Sequence, residues 1–143
     1  MRDVIDAIES QFVGTWELRG MKVRTEHGEE SPVWGKNPVG RLVYDSHGQM
    51  FALLMPAARN QANGRRIPEA LQREAAGYYG TYAIDEARRV VTHRVIASVR
   101  STESGTLERA YSLEGGLLTL AARANRDGAP VTYTLTWERV RHS

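Results

Sequence analysis

A chain of 143 residues with 41% apolar content fits one domain, large enough to bury a core without help from a metal or a disulfide. It has no cysteine, which excludes disulfides, thiolate catalysis and zinc–thiolate sites. The formal net charge is only +2, and Lys22 and Lys36 are the only lysines; Arg65-Arg66 and Arg88-Arg89 are pairs rather than runs and carry no interleaved aromatics, which argues against nucleic acid as a partner.

No apolar run approaches the roughly 20 residues of a membrane helix, so no membrane partner is expected. The opening Met1-Arg2-Asp3-Val4-Ile5-Asp6 is too acidic and too short in apolar run for a secretory signal. A soluble, cytoplasmic protein follows as the expectation.

In chain order, Arg2–Gln11 carries Val4, Ile5 and Ile8 at helical spacing with Asp3 as N-cap, a short amphipathic helix. A first strand follows from Phe12 to about Val23. Its apolar parity shifts from Trp16 and Leu18 to Met21 and Val23, and Gly20 at the changeover predicts a bulge. Thr25–Asn37 is polar and rich in breakers, a loop over one mouth. Gly40–Asp45 and Gln49–Met55 form a hairpin through Asp45-Ser46-His47-Gly48, where the glycine supplies the positive φ of a tight turn.

Pro56–Gly64 reads as irregular, and Ile67–Ala75 as a helix with Pro68 in its first turn. This insertion after the third strand, more than 20 residues long, has the character of a lid. A meander follows: Gly80–Ile84, Val90–Ser98, Thr106–Leu113, Leu117–Arg123 and Val131–Val140, joined by short turns. One domain over 1–143 is expected, all-β, with eight antiparallel up-and-down strands that close into a barrel able to hold one small ligand.

Period-two alternation sorts the strands into faces. The inward set is Trp16 and Leu18; Leu42, Tyr44, Met50, Ala52 and Leu54; Tyr82 and Ile84; Val91, His93, Val95 and Ala97; Leu107, Arg109, Tyr111 and Leu113; Leu118, Leu120 and Ala122; and Tyr133, Leu135, Trp137 and Arg139. A solid apolar core does not account for Tyr44, Tyr82, His93, Arg109, Tyr111 and Tyr133 on that face. A buried guanidinium without a partner costs several kcal/mol, and none of these inward positions is acidic. A hydrated, polar-tipped cavity is therefore expected.

Phe12-Val13-Gly14-Thr15-Trp16-Glu17-Leu18 and Leu135-Thr136-Trp137-Glu138-Arg139 together resemble the Gly-x-Trp signature of calycin barrels and the basic residue of their last strand. The resemblance implies that Trp16 plugs one end with Arg139 across its indole, a cation–π contact of roughly 0.5 to 2 kcal/mol. Asn37-Pro38-Val39-Gly40-Arg41-Leu42-Val43-Tyr44-Asp45, His47-Gly48-Gln49-Met50, Gly80-Thr81-Tyr82, Val91-Thr92-His93 and Arg109 are similar to motifs of the bacterial lipocalin-like domain family, in their usual order and nearly end to end. Where that group often carries an aromatic, proline-containing segment after its histidine, this chain has Ser98-Val99-Arg100-Ser101-Thr102.

His93 reads either as a core histidine held by a hydroxyl and a backbone group or as a general acid/base. Arg109 reads either as a structural clamp or as an anchor for an enolate, carboxylate or carbonyl oxygen. Tyr44, Met50, Leu54, Tyr82, Val95, Tyr111, Tyr133 and Leu135 are the candidate ligand contacts. His27, His47, His93 and His142 are dispersed without ligand spacing, and phosphate-loop, dinucleotide and nucleophile-elbow motifs are missing. No metal and no cofactor are expected.

The resemblance implies binding of a hydrophobic, oxygen-bearing small molecule inside the barrel and leans toward an enzyme. That enzyme would be a cofactor-independent isomerase or cyclase in natural-product biosynthesis, acting on polyketide-like or oxylipin-like compounds, with His93 moving the proton and Arg109 holding the negative oxygen. The alternative is a non-catalytic carrier or sensor. A homodimer is compatible with either reading.

Overall fold

The computed structural model describes residues 7–60, 64–100 and 103–141. Within them, α1 (Ala7–Phe12) sets Ile8 and Phe12 one turn apart on its inner face, and both are buried. The first part of the expected helix, residues 2–6, lies outside the described residues. The described part runs on to Phe12, so the first strand starts at Gly14 rather than at Phe12.

Nine strands follow: β1 (Gly14–Thr25), β2 (Glu30–Pro32), β3 (Val39–Tyr44), β4 (Gln49–Met55), β5 (Ala76–Asp85), β6 (Val90–Ser98), β7 (Thr106–Glu114), β8 (Leu117–Arg126) and β9 (Ala129–Arg139). All pairings are antiparallel. From β3 to β9 each strand pairs with the next, and β1 joins β3 to β9, so eight strands close on themselves. Closure removes the unpaired edges that would otherwise seek another chain. The ninth, β2, lies in the expected first loop and pairs only with Lys22–Arg24, beyond the point where β3 has left β1.

The expected bulge on β1 is present: the register against β9 slips between Leu18 and Gly20. Trp16, Leu18, Met21 and Val23 are consequently all buried. A second slip was not expected. On β6 the register moves from Gly80↔Val95 to Tyr79↔Ala97, which leaves Ile96 as the extra residue and turns Ala97 outward, contrary to its inward assignment. The bulge presses the Arg94 carbonyl toward β5, where a Cβ on residue 80 would sit 1.8 Å from that oxygen. Only glycine fits there.

The helix expected over Ile67–Ala75 is reduced to one 3-10 turn, Glu69–Leu71, and a four-residue helix α2 (Ala57–Asn60) stands in the stretch expected to be irregular. Competition explains the difference. Pairing of β5 with β4 starts at Leu54↔Ala76, which claims the residues next to the helical pattern, and a helix this short is marginal without an apolar face to bury. Arg59 donates to the Leu71 and Gln72 carbonyls, and Gln72 donates to the Ile67 carbonyl, so side chains knit the segment together.

One end of the barrel is plugged. Trp16 is fully buried, its Nε1 donates to the Phe12 carbonyl at 2.9 Å, and the Arg139 guanidinium lies 4.3 Å from its ring centroid. Arg139 also donates to the carbonyls of Val13 and Gln11. Gly14 makes room for it: with φ at +140°, a Cβ there would lie 2.6 Å from Arg139 Nη1. On the outer face Arg41, Glu17, Arg19 and Glu138 form a row of exposed ion pairs across β3, β1 and β9, each worth at most about 1 kcal/mol.

The plug carries a test. Trp16→Ala should lower stability by about 3 to 5 kcal/mol, as large-to-small core changes do, and Arg139→Ala should lower it by less but measurably. Denaturant midpoints decide it, with Arg141→Ala as a comparison expected to be near neutral. A silent Arg139→Ala beside a costly Arg141→Ala would shift the closing contact to the wrong residue.

Candidate functional site

Antiparallel pairing fixes which residues lie at each end. The plugged end gathers Gly14, Tyr44, Asp85, Val90, Glu114 and Arg139, and the opposite mouth gathers Thr25, Val39, Met55, Ala76, Ser98 and Thr106. The long insertion, the loop through Trp34 and the β6–β7 loop therefore share the mouth away from Trp16. Two of them are tied together, since Trp34 Nε1 donates to Glu74 Oε2 at 2.6 Å.

Between the two ends runs a line of polar aromatic side chains. Tyr44, on β3, is buried edge-on against Phe12 and tilted against Tyr82. Its hydroxyl lies 2.6 Å from His93 Nε2. The other ring nitrogen, Nδ1, lies 2.7 Å from the hydroxyl of Tyr78 on β5. Tyr82, four residues further along β5, turns away and donates to the Asp45 carbonyl at 2.6 Å.

A neutral imidazole has one donor and one acceptor nitrogen. Tyr44, shut in by Phe12, Tyr82 and His93, places its proton on Nε2. The ring proton then sits on Nδ1 and is donated to the Tyr78 oxygen. Arg109, inward on β7 opposite Val91, gives one N–H to the Glu108 carbonyl at 3.2 Å, and its positive charge favours the Tyr78 oxygen. The Tyr78 oxygen accepts from His93, which leaves its own O–H free to donate.

The electrostatics agree with this order. Burial, with Arg109 adding to it, pushes the His93 imidazole down to about 3; the ring is neutral at ordinary pH. Burial raises the Tyr44 hydroxyl well above its usual range and pushes Tyr78 up to about 12, with Arg109 opposing in both cases. Burial likewise puts Tyr82 at about 12. All three tyrosines remain protonated donors.

Of the residues singled out from sequence, His93, Arg109 and Tyr44 come together. Leu54, Val95, Tyr133 and Leu135 sit on strands above them, toward the mouth. Met50, Tyr82 and Tyr111 do not join that group. Met50 is buried beside Tyr44 and Gly80, and Tyr111 packs on Phe12 with Arg89 over its ring, so all three are packing residues of the plugged half. Among the described residues no three His, Asp or Glu side chains converge as metal ligands.

Sequence reading missed Tyr78. The signal was available: period two back from Tyr82 runs through Gly80 to Tyr78, but a strand taken to begin at Gly80 stops short of it. It also missed Glu103, which comes from the β6–β7 loop, where no periodicity applies. The carboxyl of Glu103 is raised by burial and lowered again by Arg100 and Arg109, which places an acidic group near the inward arginine where none was expected.

A closed antiparallel barrel, plugged by a tryptophan under an arginine and lined by a buried polar chain, is of the calycin class. The lipocalin-like domain profile matches residues 13–140. The chain belongs to that family, and membership is consistent with binding of a small hydrophobic ligand. No curated protein matches it. Among the described residues no helix is long and apolar enough to cross a membrane.

Two outcomes follow from this geometry. The His93 pKa is lowered on folding, so between about 6.5 and about 3 the unfolded chain binds a proton that the folded chain does not. Stability contributed by the neutral ring is therefore full above the upper value and lost as pH falls toward the lower one, by up to about 1.4 kcal/mol per pH unit. Denaturant titrations at about pH 7 and about pH 5 should show this loss in the wild type, and His93→Gln should remove that part of it; an equal loss in both would trace it to another group. For the mouth, Trp34→Phe deletes the donor to Glu74, a hydrogen bond to a charged group worth about 1.5 to 3 kcal/mol. Amide exchange across residues 64–75 should speed up in that variant while the strands keep their protection.

Proposed function

We propose that the mouth half of this barrel binds one hydrophobic, oxygen-bearing small molecule and that the chain isomerises or cyclises it without a cofactor. The observation that carries the reading is the hydrogen-bonded chain Tyr44–His93–Tyr78, whose last hydroxyl lies under the influence of the Arg109 charge. A purely apolar core would have no use for a hydroxyl–imidazole–hydroxyl chain with a guanidinium at its end. Tyr78 and Arg109 converge on the position of a ligand oxygen, where preorganised donors hold charge as it develops.

In this reading His93 is a positioning residue. Both of its nitrogens are taken and its ring resists protonation, so it orients Tyr78 and sharpens that hydroxyl as a donor rather than accepting the ligand's proton itself. The closed wall folds a flexible molecule into a reactive geometry, and positioning of that kind can supply several kcal/mol of barrier reduction. The same satisfied, neutral histidine also favours a second reading, a carrier that holds its ligand unchanged. Recovery of chemically unaltered ligand after long incubation with the protein would select the carrier.

The binding claim is tested with a matched pair of probes, 2-naphthol and naphthalene, titrated against the intrinsic fluorescence of the protein. The wild type should prefer 2-naphthol. Tyr78→Phe should weaken 2-naphthol by up to about tenfold, the effect of one hydrogen bond, and Arg109→Leu should weaken it as well, with naphthalene unchanged in both. Equal binding of the two probes by all three proteins would remove the reading.

A further inference from the structure

Among the described residues six large apolar side chains are exposed, and five of them, Phe51, Leu53, Tyr79, Ile96 and Val99, share one stretch of the outer wall. The sixth, Leu117, starts β8 at the plugged end and stands apart. Register places the five side by side. Phe51 lies opposite Tyr79, and Tyr79 opposite Ala97. On the next rung toward the mouth Leu53 lies opposite Gly77, whose carbonyl accepts the Val99 N–H at 2.9 Å. The Leu53 and Val99 side chains both reach this glycine: a Cβ there would lie 3.0 Å from Leu53 Cδ1 and 3.7 Å from Val99 Cγ2. The β6 bulge completes the patch, because it shows Ile96 and Ala97 to solvent in succession.

This face has no charge at its centre. The rung toward the plugged end, Gln49–Thr81–Arg94, brings the first cation. On the β3 side Arg41, opposite Leu53, is held by Glu17 at 3.1 Å. Single exposed apolar side chains need no explanation, but a contiguous set does. The five are between 39% and 70% exposed. Together they leave roughly 500 Å² of apolar surface open to water, near the upper end of what a monomer leaves open. With its polar border the face reaches roughly 600 to 800 Å², the share that each partner gives to a specific interface of low to standard size.

We propose that this face, spanning β4, β5 and β6, is where a second copy of the chain docks, in an isologous twofold dimer. A neutral apolar face matches itself, so the same patch serves both partners, as twofold symmetry requires. Its composition, Phe and Tyr among aliphatic side chains with Arg at the border and no Lys, Asp or Glu within it, is that of the core of a protein interface. An anionic lipid surface would call for a cluster of Lys and Arg, whereas Arg94 is the one cation on the adjoining rung. Edge-to-edge pairing is a poor alternative: eight strands pair all round the barrel, and β2, three residues ending in Pro32, is a short and blocked edge. Phe51 and Tyr79, neighbours at the middle of the face, are the anchors.

Sedimentation velocity of the chain from about 1 to about 100 µM, a range that brackets the affinity of small interfaces, provides the test. The wild type should move from the 16.0 kDa of one chain toward twice that mass as concentration rises, with a Tm that rises in step. Tyr79→Arg and Ile96→Arg, both at exposed positions, should each weaken association by at least about 30-fold, the effect of losing an interface hot spot. Both should keep the circular dichroism of the wild type. Tyr79→Phe should still dimerise, and so should Leu117→Arg. A wild type that stays at the mass of one chain throughout overturns the second copy as occupant; binding of that monomer to phosphatidylserine vesicles, lost in Tyr79→Arg, would then give the face to a lipid surface. A dimer that survives both Tyr79→Arg and Ile96→Arg, or that only Leu117→Arg dissociates, overturns this face as the interface.

Discussion

Closure of the sheet through β1 is the constraint on which the rest depends. One strand pairs with β3 over its first residues, with β2 over its last and with β9 along most of its length, and it can do so only because the bulge at Arg19 bends it. Arg139 and Trp16 complete that closure at one end. Since this end is filled by α1, Trp16 and Trp137, every loop able to open lies at the other. The position of the site is thus a consequence of where the plug is, before any of its chemistry is considered.

The interior divides accordingly. Below, Phe12, Trp16, Tyr111, Leu118 and Trp137 make an ordinary core. Above, polarity increases stepwise: a fully buried tyrosine, a neutral histidine, a half-buried tyrosine, then an arginine and a carboxylate. The direction of hydrogen bonding along this line is set at its buried end, because Tyr44 has to donate where its acceptor is, and that choice passes through His93 to Tyr78. A fully buried residue can in this way set the hydrogen-bonding role of a hydroxyl nearer the mouth.

Much of the fold was legible in the sequence for reasons that can be named. Met50, Ala52 and Leu54 were separable from Phe51 and Leu53, although all five are apolar, because cross-strand parity with Leu42 and Tyr44 selects one set; Phe51 and Leu53 are indeed 47% and 39% exposed. Trp16 and Arg139 were legible because glycine, tryptophan and arginine each answer a separate steric or electrostatic need at that end. The helix over Ile67–Ala75 was misread since local propensity is weak beside the pairing of Ala76 with Leu54. Ala97 was misread since a bulge without glycine on its own strand leaves its mark on the neighbour, at Gly80.

The site was half legible, and the division follows the physics of strands and loops. His93, Arg109 and Tyr44 lie on regular strands, where alternation assigns a face. Trp34, Glu74 and Glu103 reach the mouth from irregular segments, and their approach depends on backbone paths that no period encodes. Loops of this kind shape the opening of the barrel, whereas the strands beneath them hold the polar line in place. Variation confined to Trp34, Glu74 and the β6–β7 turn should accordingly change ligand choice while leaving the Tyr44–His93–Tyr78 line and the plug untouched, because those are held by contacts below the mouth that the loops do not make.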